Sequence, residues 1–172
     1  DQLTEWFSNG DHDLAGASLL FTPDGSLSSY TVCLSSAEGY PTDPSGGEVL
    51  SLNDDDSREV ILRGAAEVPF FGQDYKTVFV GSNGNLTFGS PDTAVFESLS
   101  EHFRVPRVSA LFHDLVPEGN VSWKQTVDRV AITYDGIREF ETDVRNDFQV
   151  ELFFEGLIRL TYLETNTKNC LI

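Results

Sequence analysis

Along residues 148–162 apolar and polar side chains alternate with a period of two. Phe148, Val150, Leu152 and Phe154 fall on one face, with Gln149 and Glu151 opposite. Ile158, Leu160 and Tyr162 share a second face, with Arg159 and Thr161 opposite, and Val130, Ile132 and Tyr134 repeat the pattern one segment earlier. This period predicts strands with one buried and one solvated face, as in antiparallel sheets stacked into a sandwich. Glu155-Gly156 reads as a two-residue turn between the last pair.

The same logic applies to residues 75–88, YKTVFVGSNGNLTF. Two β-branched and aromatic runs flank Asn83-Gly84, and a type I′ turn needs the positive φ that Asn and Gly tolerate. Elsewhere, strand-like runs lie at 18–21, 28–34, 49–52, 58–62, 68–71, 108–111 and 121–125. Pro23-Asp24-Gly25-Ser26 supplies a turn, and 35–48 has the composition of a long surface loop. Asp54, Asp55 and Asp56 would form the tip of a hairpin joining 49–52 to 58–62. One helix is expected near residues 93–103, started by Ser90, Pro91 and Asp92, with Phe96, Leu99 and Phe103 on one face and Pro106 as the stop. The fold class is therefore all-β: an antiparallel, jelly-roll-like β-sandwich with one short helix, residues 1–172 forming one domain.

Composition narrows the partners. Eleven Lys+Arg against 28 Asp+Glu give a net charge of −17. That field repels phosphate backbones and anionic lipid, which excludes nucleic acid as a partner, and it attracts divalent cations and cationic surfaces. No apolar run approaches the ~20 residues of a membrane-spanning helix, so membrane insertion is not expected. Met is absent and the chain begins at Asp1, which reads as an excised piece of a larger secreted protein. The two cysteines, Cys33 and Cys170, are far apart; a disulfide between them is favoured over two buried free thiols, given the extracellular character of the composition.

Four blocks carry a family resemblance: FFGQDYKTVFVGSNGNLTFG, RVSALFHDL, GNVSWKQTVDRVAITYDGIREF and DFQVELFFEGLIRLTYL. Their order is similar to that of the nidogen-like (NIDO) domain, with its V-x-x-N-G-x-[IL]-x-F strand pair, its element ending in "dDL" or "wDD", and its late F-Q-x-x-L…G-x-[IL] pair. TDPSGG, LSLNDDDS and SWKQTVDRVA also resemble a bacterial module of large multidomain secreted proteins from planctomycetes and marine proteobacteria. The likeness spans most of residues 13–163. It implies a secreted or cell-surface accessory module and carries no catalytic residue. His113 departs from it, standing where the resembling sequences often have an acidic side chain.

Candidate chemistry is sparse. Asn9, Asp11 and Asp13 set three oxygen ligands at alternate positions, and Asp54 with Asp56 forms a second acidic loop; both suit Ca²⁺, a hard cation that takes oxygen ligands. Glu139, Glu141 and Asp143 form a further acidic run. His113 beside Asp114 hints at acid–base work, yet GxSxG and HExxH motifs are absent, and the plainer reading has Asp114 fixing a strand-end turn. Trp123, in VSWKQ, is either a sugar-stacking platform or a core residue. Asn85 and Asn120 head N-glycosylation sequons. These features favour a non-catalytic recognition or adhesion module, binding a glycan or protein ligand at the cell surface beside neighbouring domains of its own chain. The alternatives are an assembly module of a surface layer or filament and, behind it, a hydrolase using His113 and Asp114.

Overall fold

The computed structural model describes residues 4–8, 11–26, 29–95, 97–167 and 169–172. In chain order the strands begin with β1 (Trp6–Phe7), β2 (Ala17–Pro23), β3 (Tyr30–Ser36), β4 (Glu48–Val49) and β5 (Ser57–Ile61). Next come β6 (Val68–Phe70), β7 (Gln73–Tyr75), β8 (Thr77–Gly81) and β9 (Asn85–Thr87), then the one-turn helix α1 (Leu99–His102). The chain closes with β10 (Arg107–Ser109), β11 (Leu115–Val116), β12 (Asn120–Gln125), β13 (Arg129–Glu139), β14 (Arg145–Phe153), β15 (Ile158–Glu164) and β16 (Cys170–Leu171).

The alternating residues form the centre of a large antiparallel sheet, ordered β3-β2-β15-β14-β13-β12-β4, with β11 pairing the far end of β13. A four-stranded sheet, β10-β9-β8-β5, lies against it. Val130, Ile132, Tyr134, Phe148, Val150, Leu152, Ile158, Leu160 and Tyr162 meet Val60, Val78, Val80, Leu86 and Val108 in one core. Each such side chain contributes about 1.5–3 kcal/mol by leaving water. Two buried tyrosines pin the layers together: Tyr134 donates to the Gly81 carbonyl (2.8 Å) and Tyr162 to that of Ala110 (2.7 Å).

The Asn83-Gly84 turn is real, but it is neither two residues long nor an exposed tip. Val80 pairs with Leu86, which leaves a three-residue loop beyond the Gly81–Asn85 pair, and only Gly84 (φ 72°) takes a positive φ. The loop is buried because it docks on residues 110–115. Gly84's carbonyl accepts from Ala110 and Leu111 N–H (3.1 and 3.2 Å), and Asn83 Oδ1 accepts from Leu115 N–H (3.1 Å). A Cβ on Gly84 would collide with the Leu111 carbonyl oxygen. Glu155-Gly156 likewise belongs to a three-residue loop, Phe154 to Gly156, closed by the Phe153–Leu157 pair. In both loops one residue at positive φ suffices, as in three-residue hairpins generally.

Other expectations need correction. Segments 49–52 and 58–62 do not form a hairpin: β4 pairs with β12 in the large sheet, whereas β5 pairs with β8 in the small one. The acidic run 54–56 is thus a crossing between layers. The helix is a single turn, capped by Ser98 accepting from Glu101 N–H (3.1 Å). Phe96 lies outside the described residues, and Leu99 and Phe103 stay 50% and 40% exposed, so no apolar face is buried to offset the cost of nucleating a longer helix. Asp92, expected at a helix start, is instead buried between Arg104 and Arg107. The Cys33–Cys170 disulfide does not form: Cys33 is exposed on edge strand β3 and Cys170 is buried in β16, both as free thiols.

Nor is the outer face of the large sheet solvated along its length. Residues 40–45 roof it. Thr42 exchanges hydrogen bonds with Gln149 (3.1 and 2.7 Å) and donates its hydroxyl to Glu151 (2.5 Å). Arg129 and Arg159 complete the buried Glu151 carboxylate at 3.0 and 3.1 Å.

The docking of Gly84 is testable. Gly84→Ala combines a disfavoured φ with a collision against backbone, so it is expected to cost at least ~3 kcal/mol in urea unfolding, whereas Gly25→Ala, whose Cβ meets nothing, costs ~1 kcal/mol.

Candidate functional site

One end of the sandwich gathers carboxylates. Asp54, Asp55 and Asp114 each present an oxygen within 4.8 Å of the others. Asp54 and Asp55 sit on the crossing loop, and Asp114 sits where the chain leaves the Gly84 dock. The buried Asn83 side chain joins these loops. Its Nδ2 donates to Asp55 Oδ1 (3.0 Å) and to the Ala94 carbonyl (2.9 Å), while its Oδ1 holds Leu115 N–H. Asp55 is in the left-handed region (φ 50°), which Asp tolerates better than most residues and which turns its carboxylate back toward Asn83.

Asp56, expected as a ligand, is committed elsewhere. Its carboxylate accepts from Asn53 N–H (3.0 Å), Asn53 Nδ2 (3.1 Å) and Ser57 N–H (2.8 Å), and pairs with Arg58 (2.6 Å). Burial alone would raise its pKa, but those hydrogen bonds and Arg58 bring it below the usual carboxylate range. Asp114 behaves oppositely. Burial, then the negative charges of Asp55 and Asp54, push its pKa up. A cation placed among the three would reverse that repulsion. The donor set is oxygen-only, which suits Ca²⁺ rather than zinc, and three carboxylates supply about half of its six to eight ligands.

The remaining expected ligands do not join this cluster. Asn9 lies outside the described residues, and Asp11 and Asp13 are exposed and belong to no metal-competent group among the described residues. Trp123 is only 8% exposed, within the core, and Arg63 covers its ring at 5.0 Å, so it offers no open face for stacking a sugar. Asn85 of the first sequon is buried in β9, while Asn120 is exposed.

His113 and Asp114 are not a dyad. The His113 ring lies between Glu139 Oε1 (2.9 Å from Nε2) and Glu97 Oε2 (3.4 Å from Nδ1). Burial would lower its pKa, yet the two glutamates raise it above the ordinary histidine value. No hydroxyl or thiol is hydrogen-bonded to it among the described residues. Cys170 is no nucleophile either: burial, then the charges of Glu97, Glu139 and Glu5, push its thiol up to about 12. His102 is brought down to about 4 by burial and by Arg107, and His12 is lowered mainly by burial among Phe7, Tyr162 and Thr165. Sequence reasoning missed Glu97 and the reach of Glu139 to His113, since both pairings depend on distant segments; in the run Asp54-Asp55-Asp56 the sequence does not say which carboxylate turns toward Asn83, which the left-handed φ of Asp55 decides.

The NIDO-related family model matches residues 29–170. The chain belongs to the NIDO-related family. Neither a curated protein nor a solved structure matches it. In this NIDO-related module the V-x-x-N-G-x-L-x-F motif has a physical meaning: Val80, Leu86 and Phe88 are core, and Asn83-Gly84 is the dock that sets the acidic loops in place. Among the described residues no helix is long and apolar enough to cross a membrane.

The His113 clamp predicts a pH dependence. Because the folded pKa lies above the unfolded value of about 6.5, the stabilisation is fully present below that pH and is lost as pH rises through the folded pKa. The urea midpoint is therefore expected to fall from about pH 6 to about pH 8, and His113→Gln should flatten that segment of the profile.

Proposed function

We propose that the NIDO-related module is a non-catalytic extracellular recognition or adhesion domain whose acidic end is organised by Ca²⁺ held at Asp54, Asp55 and Asp114. The observation that carries this reading is the convergence of three carboxylates from two segments, with one buried asparagine tying Asp55 to the segment that follows Asp114. Family membership supports an extracellular setting. The pairing of His113 with two glutamates rather than with Asp114, with no hydroxyl or thiol hydrogen-bonded to its ring among the described residues, supports a role without catalysis.

Three carboxylates leave Ca²⁺ with open coordination positions. Ligand oxygens, such as vicinal sugar hydroxyls or a carboxylate of a protein partner, would fill them. The cation would also rigidify loops that otherwise hold like charges close together, and a rigid surface loses less entropy when its ligand binds.

Thermal melts in millimolar CaCl₂ and in EDTA test the cation. Ca²⁺ at about 100 times its Kd adds about 2.7 kcal/mol, or several degrees in Tm at about 2–4 °C per kcal/mol. Asp55→Asn and Asp114→Asn are expected to remove the increment, and melts indifferent to chelation would remove Ca²⁺ from the account. A glycan array with and without EDTA then separates sugar from protein ligands.

A further inference from the structure

At one margin of the large sheet β3 is bonded to β2 on one side and flanked on the other by no strand among the described residues. Its pairing shows which backbone groups point outward. Ala37 N–H bonds the Gly16 carbonyl (2.7 Å) and Asp24 N–H bonds that of Ser29 (3.2 Å), while Ala17 spends its N–H on Leu14. These contacts continue the register that sets Ala17 opposite Ser36 and Pro23, which has no N–H, opposite Tyr30. Hydrogen-bonded and non-hydrogen-bonded pairs alternate along an antiparallel ladder, so Thr31, Cys33 and Ser35 bond β2. Tyr30, Val32, Leu34 and Ser36 therefore turn their N–H and C=O groups away from the sheet.

The chain's own connections leave this edge aside. Residues 40–45, which follow it, roof the outer face at Gln149 and Glu151. The terminal strands β1 and β16 pair with each other, and Leu171 bridges to Phe112 rather than to β3. Charge also sets the edge apart. The molecule carries −17, yet residues 30–36 include no charged side chain. The margins β4, β5 and β10 carry Glu48, Arg58 with Glu59, and Arg107. A neutral strand offers nothing to a basic partner, which the acidic end would draw, and it is where two copies of an acidic chain approach with least repulsion.

We infer that β3 pairs antiparallel with β3 of a second copy, about a two-fold axis through Cys33. Cys33 is the central residue of the strand, so this register uses all seven positions. It sets Val32 opposite the second copy's Leu34 and Tyr30 opposite its Ser36, which joins outward-facing backbone groups to one another throughout. Val32 and Leu34 pair with Phe21 and Leu19, which pack on the core, so both lie on the inner face. They are 40% and 67% exposed, and in the pair they cover each other across the axis. Thr31 meets Ser35 on the outer face, and the exposed Cys33 meets its own copy there. In a non-hydrogen-bonded pair the two Cα atoms lie about 4.5 Å apart, within the range that a disulfide spans. The pairing needs neither that disulfide nor Ca²⁺.

Sedimentation velocity of the full chain in EDTA and reductant, up to about 0.5 mM, tests the pairing. A concentration-dependent dimer is expected, and it should tighten as NaCl rises from about 0.05 to about 0.5 M, because screening removes repulsion between the acidic copies. Leu34→Glu should weaken it about tenfold or more, while Val127→Glu, the same charge change at a 96% exposed position, should leave it within about twofold. Hydrogen exchange at the Val32 and Leu34 amides should slow with concentration and that at Cys33 should not.

The register has its own readout. Diamide, which takes up the two hydrogens as two thiols join, should link Cys33 to Cys33; Cys170 is buried and does not compete. On a Cys33→Ser background, Thr31→Cys and Ser35→Cys proteins should cross-link when mixed and not alone, since each position lies about 14 Å from its own copy. A monomer throughout, a dimer indifferent to Leu34→Glu, or cross-linking with no preference for the mixture would each overturn the proposal.

Discussion

The contact between Gly84 and the Leu111 carbonyl sets the spacing on which the rest of this end of the molecule depends. Because Gly84 has no Cβ, the β8–β9 loop approaches residues 110–115 closely enough for its carbonyl to take two N–H donors from them. That approach brings Asn83 into a buried position where its amide is spent on three separate segments. A buried amide with its donors and acceptor satisfied is stabilising and geometrically exacting, whereas an unsatisfied one is costly. Within the acidic cluster that amide holds Asp55 by a charge-assisted hydrogen bond, and Asp54 and Asp114 lie beside it on the two segments the amide joins.

The large sheet shows the same preference for satisfied burial. Its outer face, polar by alternation, is covered along β14 by Thr42 and its neighbours. Glu151 there is neutralised by two arginines whose guanidinium groups also lie over the Phe153 ring. Removing one partner of such a group strands a charge out of water. The acidity of the chain is therefore two things at once: a solvated coat, and a few carboxylates used as structural acceptors. Asp56, Asp92, Glu139 and Glu151 belong to the second kind.

The two layers differ in width, and that difference organises the surface. The narrower sheet covers the inner face of β2 and β3 only in part, so Val32 and Leu34 reach solvent on β3, the edge strand of the large sheet among the described residues. Monomeric β proteins usually blunt such edges with charge or proline, and β3 carries neither between Tyr30 and Ser36.

Sequence alone determined the strands and their inward faces. Residues 130–134, 148–152 and 158–162 hide the side chains their alternation assigns, because a period of two leaves a strand only two faces to choose between. It also located the NG loop and the family motif. Tertiary structure decided which strands share a sheet, so 49–52 and 58–62 parted company, and it decided what covers an outer face, so Gln149 and Glu151 went from solvent to burial. It replaced Asp56 with Asp55 and Asp114, paired His113 with Glu97 and Glu139, withdrew Trp123 into the core and left both cysteines unbridged. The reason is common to all of these. Periodicity reports which way a side chain points relative to its own strand, whereas a site depends on which distant segments arrive beside it, and that is set by the packing of one layer on another.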